Sequence, residues 1–335
     1  MLKRILALLM ALILCFSFVG CGEDKDIKDS EKHDDKETTQ KVQSDDSDDI
    51  SPLLYKVTDN EGNVVWLFGS IHVGRDDFYP LPEYVIEAFD NADSLAVEFD
   101  IVAFEKDTKA QIEAMTKLVL TDGSKISDYI NSDIYDAAVE ILKEEKLYNS
   151  YMDMYVPALW SSLIDNFVYE IMKVDIDGGI DRHLINRAMD KNKEILDVES
   201  AEFQYGMMAD FSYPLQEYLL AMSIQKYDMV SNWFGKKVYQ KQLDKLMDLW
   251  AKGREKELAK YLTEEEFRSE EEKTLYDEYN NALIAKRNIN MTDYAEEALK
   301  SGKEVFICVG AAHVVGDGAM AQLLKERGYT VKIVK

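Results

Sequence analysis

The chain has 335 residues, a formal net charge of −25 at pH 7, and a hydrophobic share of 47%, which is enough to build a sizeable core. So acidic a balance argues against nucleic acid as a partner, because phosphate binding needs a basic face. There are three cysteines: Cys15 falls inside the N-terminal apolar run and Cys21 ends it as a candidate for modification, which leaves Cys308 alone and no disulfide framework.

Lys3 and Arg4 precede an apolar run, Ile5 to Val19, that is too short to span a bilayer and suits the core of a signal peptide. It ends in Phe18-Val19-Gly20-Cys21, which resembles a bacterial lipobox. Residues 1–20 are therefore read as a lipoprotein signal peptide and Cys21 as the lipid-attachment residue. This predicts an extracytoplasmic protein held to a bacterial membrane by its lipid. Residues 21–52 are dominated by Asp, Glu, Lys and Ser, and their composition predicts an acidic, disordered tether with His33 as a solvated residue. The globular domain is expected over 53–335.

Within it, "LLYKVTD" and "VVWLFG" flank Asn60-Glu61-Gly62-Asn63 and predict a hairpin. "LPEYVIEAFDNA" at 81–92 predicts a short helix and "SLAVEFD" at 94–100 a strand, giving a βαβ unit. The middle, 104–290, is mostly helical in pattern. "YVPALWSSLIDNFVYEIMKV" reads as a core helix, "EILDVES" at 194–200 as a strand, and Thr263 to Glu266 as a capping box opening a helix. At the end, "VFICVG", "GAMAQLLKERG" and "YTVKIV" predict a second βαβ unit. The fold class expected is α/β or α+β, with a central, largely parallel sheet built from N- and C-terminal strands and a large helical insertion.

Only four histidines occur in the chain. His72 follows Gly69 by three residues at one strand end, and His313 follows Gly310 in the same way at another. Glu98 and Glu199 also sit at strand ends. Ligands of open α/β sheets bind at the carboxyl ends of the strands, so two imidazoles and one or two carboxylates are expected to converge there. The glycines are expected to let the backbone turn sharply and approach a ligand. Two His and a Glu form a three-ligand set for a divalent ion that acidifies water, and the residue types do not choose among Mn, Co, Zn and Fe.

The segments "GSIHVG", "LAVEFD", "GGIDRHLINRA", "EILDVESAEFQ", "AKRNINM" and "VFICVGAAHVVGDGAMAQLLKERGYTVKIV" resemble, in that order, the motifs of the TraB/GumN family. That family is related to the Tiki metalloproteases and, more distantly, to erythromycin-esterase-like and ChaN-like proteins. The resemblance implies His72, Glu98 and His313 as metal ligands. It implies Glu199 as a further ligand or the general base, and Arg287 as the group stabilising an oxyanion. Asn288 is a lesser candidate beside Arg287. Asp181, after Gly178-Gly179, is either a helix N-cap or a site residue. Gln204 is either a support of the cleft or an ordinary polar position on a helix. His183 matches no motif, and Cys308 reads as a buried strand residue rather than a nucleophile. The activity implied is metal-dependent hydrolysis of a peptide or protein substrate. The alternatives are a metal-independent His/Glu esterase-like hydrolase and a non-catalytic protein that binds a peptide or haem. No oligomeric state is implied.

Overall fold

The computed structural model of the chain describes residues 50–263 and 266–334. The signal peptide, Cys21, His33 and nearly all of the tether lie outside the described residues. Strands β1 (Leu54–Thr58) and β2 (Val64–Ser70) form the expected antiparallel hairpin. Its turn is held by Asp59 Oδ1, which accepts the N–H groups of Glu61 and Asn63 at 2.9 Å each. Gly62 supplies the left-handed residue, with φ +91°. Helix α1 (Glu83–Asn91) follows Pro82 and buries Val85, Ala88 and Phe89, and β3 (Ser94–Val97) comes next.

The helical insertion contains α2 (Pro157–Met172), the expected core helix, with Trp160 fully buried. It continues with α3 (Ile180–Asp190), strand β4 (Glu194–Asp197), α4 (Ala201–Ala209), α5 (Tyr213–Val230) and α6 (Trp233–Ala251). The chain returns to the sheet through α7 (Lys286–Ser301), β5 (Val305–Gly310), the short α8 (Ala311–Val314), α9 (Met320–Glu326) and β6 (Thr330–Val334).

The six strands lie in the order β4-β3-β5-β2-β1-β6. β4, β3, β5 and β2 run parallel, while β1 is antiparallel to both β2 and β6. Both βαβ units therefore have the expected direction, but neither joins adjacent strands. β5 inserts between β2 and β3, and β6 crosses to the far edge. This insertion places the second glycine–histidine segment between the first one and Glu98. β5 is covered on both faces, which is why "VFICV" is a continuous apolar run. Phe306 and Cys308 face one core with Phe68, Phe89 and Trp250. Ile307 and Val309 face another with Met291, Leu299 and Met320.

The capping box expected at Thr263–Glu266 is not a helix start. Thr263 ends a helix, Glu255–Thr263, and its hydroxyl donates back to Ala259 O. The next helix, Glu270–Asn280, is capped by Ser269, whose Oγ accepts from Glu272 N–H at 3.1 Å. The S-x-x-E pattern six residues on fits the same signature, and the preceding helix runs on through the threonine.

Asp90, in the last turn of α1, receives Arg187 and Lys191 at 2.9 and 2.6 Å. Burial opposes its ionisation, but hydrogen bonds and charge from these two cations hold the carboxyl below the ordinary carboxylate range. A depressed carboxylate stabilises the fold above its unfolded pKa, and that contribution is lost as pH falls through the folded one. Asp90→Asn is therefore expected to lower stability at pH 7 by about 1 kcal/mol or less. The gap from wild type should close on acidification, as read by denaturant melts at several pH values.

Candidate active site

The carboxyl ends of β2, β5 and β3 meet side by side, with Ser70 in register with Gly310 and Val97 with Cys308. His72 lies just beyond β2, Glu98 just beyond β3, and His313 on α8 just beyond β5. Gly310 is their common neighbour. A Cβ built there would stand 3.3 Å from Glu98 Oε1, 3.6 Å from His313 Cδ2 and 3.7 Å from His72 Nε2. The three side chains thus surround one space over Gly310. His313 and Glu98 are buried, and His72 is the most open, with 17% of its side chain exposed.

Neither Gly69 nor Gly310 needs a left-handed backbone; Gly310 has φ −50°. At Gly310 the strand passes directly into α8, so the chain turns there without a left-handed residue, and what both glycines supply is room. A Cβ at Gly69 would meet Ala311 Cα at 2.9 Å, so this glycine lets α8 pack onto the end of β2. Gly69 O also accepts from Trp250 Nε1 at 2.7 Å, which ties α6 to the same strand end.

Each imidazole is held by its other nitrogen. Asn288 Nδ2 donates to Gly318 O at 2.8 Å, so its Oδ1 faces His313 Nδ1, 2.7 Å away. His313 Nδ1 then carries the proton, leaving the Nε2 lone pair free. His72 Nδ1 stands 3.2 Å from Asp181 Oδ1. That oxygen has no aligned hydrogen-bond partner, so the contact is charge attraction rather than a directed bond. Asp181 is not an N-cap, since Gly179 holds that position and Asp181 lies in the first turn of α3. It is brought to His72 by backbone packing: Ile180 N–H donates to Ile71 O at 3.0 Å, and a Cβ at Gly179 would meet His72 O at 2.8 Å.

Glu98 and Glu199 lie together because β3 and β4 pair in parallel, and Glu199 N–H donates to Glu98 O at 2.8 Å. Arg287 from α7 bridges the two side chains. Its Nη2 is 2.6 Å from Glu98 Oε2 and 2.7 Å from Glu199 Oε2, and its Nε is 2.8 Å from Glu199 Oε1. Its Nη1 donates to Leu283 O, in the single π-helical turn Asn281–Ala285 before α7. Gln204 Nε2 donates to Glu98 Oε2 and Glu199 Oε2 at 3.0 and 2.9 Å. Glu98 Oε1 receives Gly310 N–H at 2.9 Å and otherwise faces the space over the glycine.

Burial opposes ionisation of Glu98, but Arg287, both imidazoles and the Gly310 N–H outweigh it and hold the carboxyl well below the ordinary range. Burial pushes His313 down, Arg287 adds to this, and the ring falls to about 3. Burial also disfavours the charged form of His72, yet the carboxylates of Asp181 and Glu98 dominate and raise it to about 9. His183 stays apart: its ring packs on Tyr79, 4.3 Å between centroids. Cys308 is buried, and burial raises its thiol well above the ordinary value, which suits a strand residue and not a thiolate.

Ser70, His72, Glu98, Asp181 and Cys308 line a cavity of about 10 Å³, close to what one water needs. A larger groove of about 630 Å³, lined by Ser200, Phe203, Met207 and Lys286 among others, touches none of His72, Glu98 or His313. Sequence reasoning named Asp181 as a candidate but not its pairing with His72, and it missed Leu283 O on Arg287 and Trp250 on Gly69. The Gly-Gly before Asp181 was the one visible signal.

A divalent ion is the group this arrangement raises. The residue types fit, with His72 Nε2, Glu98 Oε1 and the Cδ2 edge of the His313 ring around a cradle that a methyl group would fill, and an ion there would take the place of the proton that His72 carries. Among the described residues, however, no three His, Cys, Asp or Glu side chains stand at ligand spacing, and an ion at this place would require the donors to move closer together.

A largely parallel α/β sheet that gathers two glycine–histidine segments and a buried Glu–Arg–Glu cluster at its carboxyl edge defines the class of protein. The chain belongs to the TraB/PrgY/gumN family, whose model matches residues 53–333. It is similar to the uncharacterized protein YbaP of Escherichia coli (strain K12), with 26% identity over 262 residues, covering 77% of this chain and 87% of that protein. The uncharacterized YbaP of Shigella flexneri matches to the same extent. No solved structure matches the chain.

Proposed function

We propose that this protein is an extracytoplasmic, lipid-anchored, metal-dependent hydrolase acting on a peptide substrate. One observation carries the reading: His72, Glu98 and His313 surround the space over Gly310 from three adjacent parallel strands. His72, His313 and Glu98 would hold a divalent ion, which would supply Lewis acidity for activating water.

The chain's own residues do the positioning. Asn288 fixes the tautomer of His313, and Asp181 orients His72. Arg287 and Gln204 take Glu98 Oε2 and leave Oε1 facing the cradle. His72, on the open side, is where a substrate first meets the site. Glu199 as base and Arg287 as oxyanion stabiliser both require the pair they form to open; in this arrangement they hold Glu98. The apolar run with Cys21 supports the membrane tether and hence the extracytoplasmic location.

The test is hydrolysis of a mixed peptide pool, read by mass spectrometry, with Mn, Co, Zn or Fe supplied in turn. Cleavage that needs one of these ions and stops on chelation is the expected result. A second reading rests on the same geometry, with His72, the most open of the three groups, beside buried Glu98: the two act directly on an ester as acid and base. Turnover that survives strong chelation yet is lost in His72→Ala would assign the site to it.

Gly310→Ala separates the cradle from the fold. At φ −50° an alanine is accommodated by the backbone, so stability should change by only about 1 kcal/mol. Its methyl enters the space between the donors, and turnover should fall by roughly 100-fold or more. Gly69→Ala meets backbone instead and should destabilise by about 1–3 kcal/mol. Thermal melts beside peptide assays distinguish the two.

A further inference from the structure

We propose that the tip formed by Trp233 and Phe234 is a membrane-contact element that seats the folded domain on an anionic lipid surface. The tip is the turn between α5 and α6, and it is tightly built. Asn232 Oδ1 accepts Gly235 N–H at 2.9 Å, and Ser231 Oγ donates to Tyr227 O at 2.8 Å. A Cβ at Gly235 would stand 1.9 Å from Met229 O, so only glycine permits this close return. The first two residues of α6 are thereby fixed outward. Trp233 is 69% exposed and Phe234 71%, on a chain whose other described tryptophans are buried or half-buried.

Residues 233–241, the start of α6, carry three lysines and no acid, the reverse of the whole chain. Lys236, Lys237 and Lys241 follow within two turns, and Lys237 Nζ lies 3.9 Å from the centre of the Trp233 ring. Asp228 is the acidic residue at the end of α5 on this side, and Lys226 there is paired with Asp165. Lysines beside two protruding rings, on a chain of net charge −25, match an interface where rings enter the acyl boundary and ammonium groups meet anionic headgroups. A convex pair of side chains buries far less than the roughly 1,000 Å² a specific protein interface needs, but it enters a soft surface without a complementary cavity.

Chain length allows the contact. Ser51 N–H donates to Ala251 O at 2.6 Å, so the domain's first residues are fastened to the opposite end of α6. That helix of 19 residues is roughly 28 Å long. Segment 21–49, at up to about 3.3 Å per residue, has the length to reach past it. A lipid on Cys21 and the tip on α6 can then engage the same surface, two weak contacts acting as one.

The full-length chain, purified from membranes, is reconstituted on vesicles of brominated phosphatidylcholine with and without phosphatidylglycerol. Trp233→Phe isolates the contribution of this ring. The wild type is expected to lose a fraction of its tryptophan emission to bromine that Trp233→Phe does not lose. That fraction should shrink at least twofold without the anionic lipid, in high salt, or when Lys236, Lys237 and Lys241 are changed to Glu. Equal quenching of wild type and Trp233→Phe overturns the proposal. So does protection of Trp233 that rises with protein concentration in lipid-free detergent, which would make the tip a contact between copies of the chain.

Discussion

His72→Ala and His313→Ala are each expected to abolish binding of a divalent ion and to reduce peptide hydrolysis by well over 100-fold. The comparison that gives this meaning lies one contact further out. Asn288 and Asp181 hold the imidazoles by Nδ1, 2.7 and 3.2 Å away, without facing the cradle themselves. Residues in such outer positions change metal affinity or activity by about 10–100-fold. Asn288→Ala and Asp181→Ala should fall in that range, between wild type and the histidine variants. Metal content after dialysis and turnover should follow the same order. His183→Ala, which removes a ring that packs tilted on Tyr79 and is not among the three groups over Gly310, should match wild type in both. Histidine variants that fold and still carry a full equivalent of ion would show that the ion binds elsewhere.

The largest loss of stability is expected from Arg287→Met. Arg287, Glu98 and Glu199 have side-chain exposures of 6%, 7% and 5%, so their charges balance one another with little help from solvent. Burial opposes the charge on Arg287, yet the two carboxylates dominate and raise its pKa further above the usual range. Removing the guanidinium leaves two carboxylates facing each other, with Gln204 and the Gly310 N–H as hydrogen-bond donors and the two imidazoles beside Glu98 alone. Breaking a buried pair in this way costs about 3–5 kcal/mol. Changing Glu199 to Gln in the Arg287→Met background removes one orphaned charge and should restore part of that loss. Denaturant melts of the single and double variants form the cycle that checks it. Purely additive losses would mean that the three groups do not act as a unit.

The residues over Gly310 were legible because scarcity and repetition marked them: two of four histidines follow a strand and a glycine by the same spacing. Their partners were hidden by distance along the chain. Asp181 is 109 positions from His72, and Trp250 is 181 from Gly69, and nothing local in either segment names the other. Strand order was hidden for a related reason. β2, β3 and β5 are all buried on both faces, so their apolar runs do not reveal which neighbour each one takes. The insertion of β5 between β2 and β3, which assembles the site, is a tertiary choice. At Thr263 a local signature competed with a second one six residues later, and the helix already in progress decided between them.

The central claim is that one ion sits among His72, Glu98 and His313. Anomalous scattering from crystals grown with Mn or Zn tests it most directly. The prediction is one strong peak about 2.0–2.2 Å from His72 Nε2, His313 Nε2 and Glu98 Oε1, with the three donors drawn in around it. A peak bound by other residues, or a space over Gly310 holding only water at saturating metal, would contradict the account.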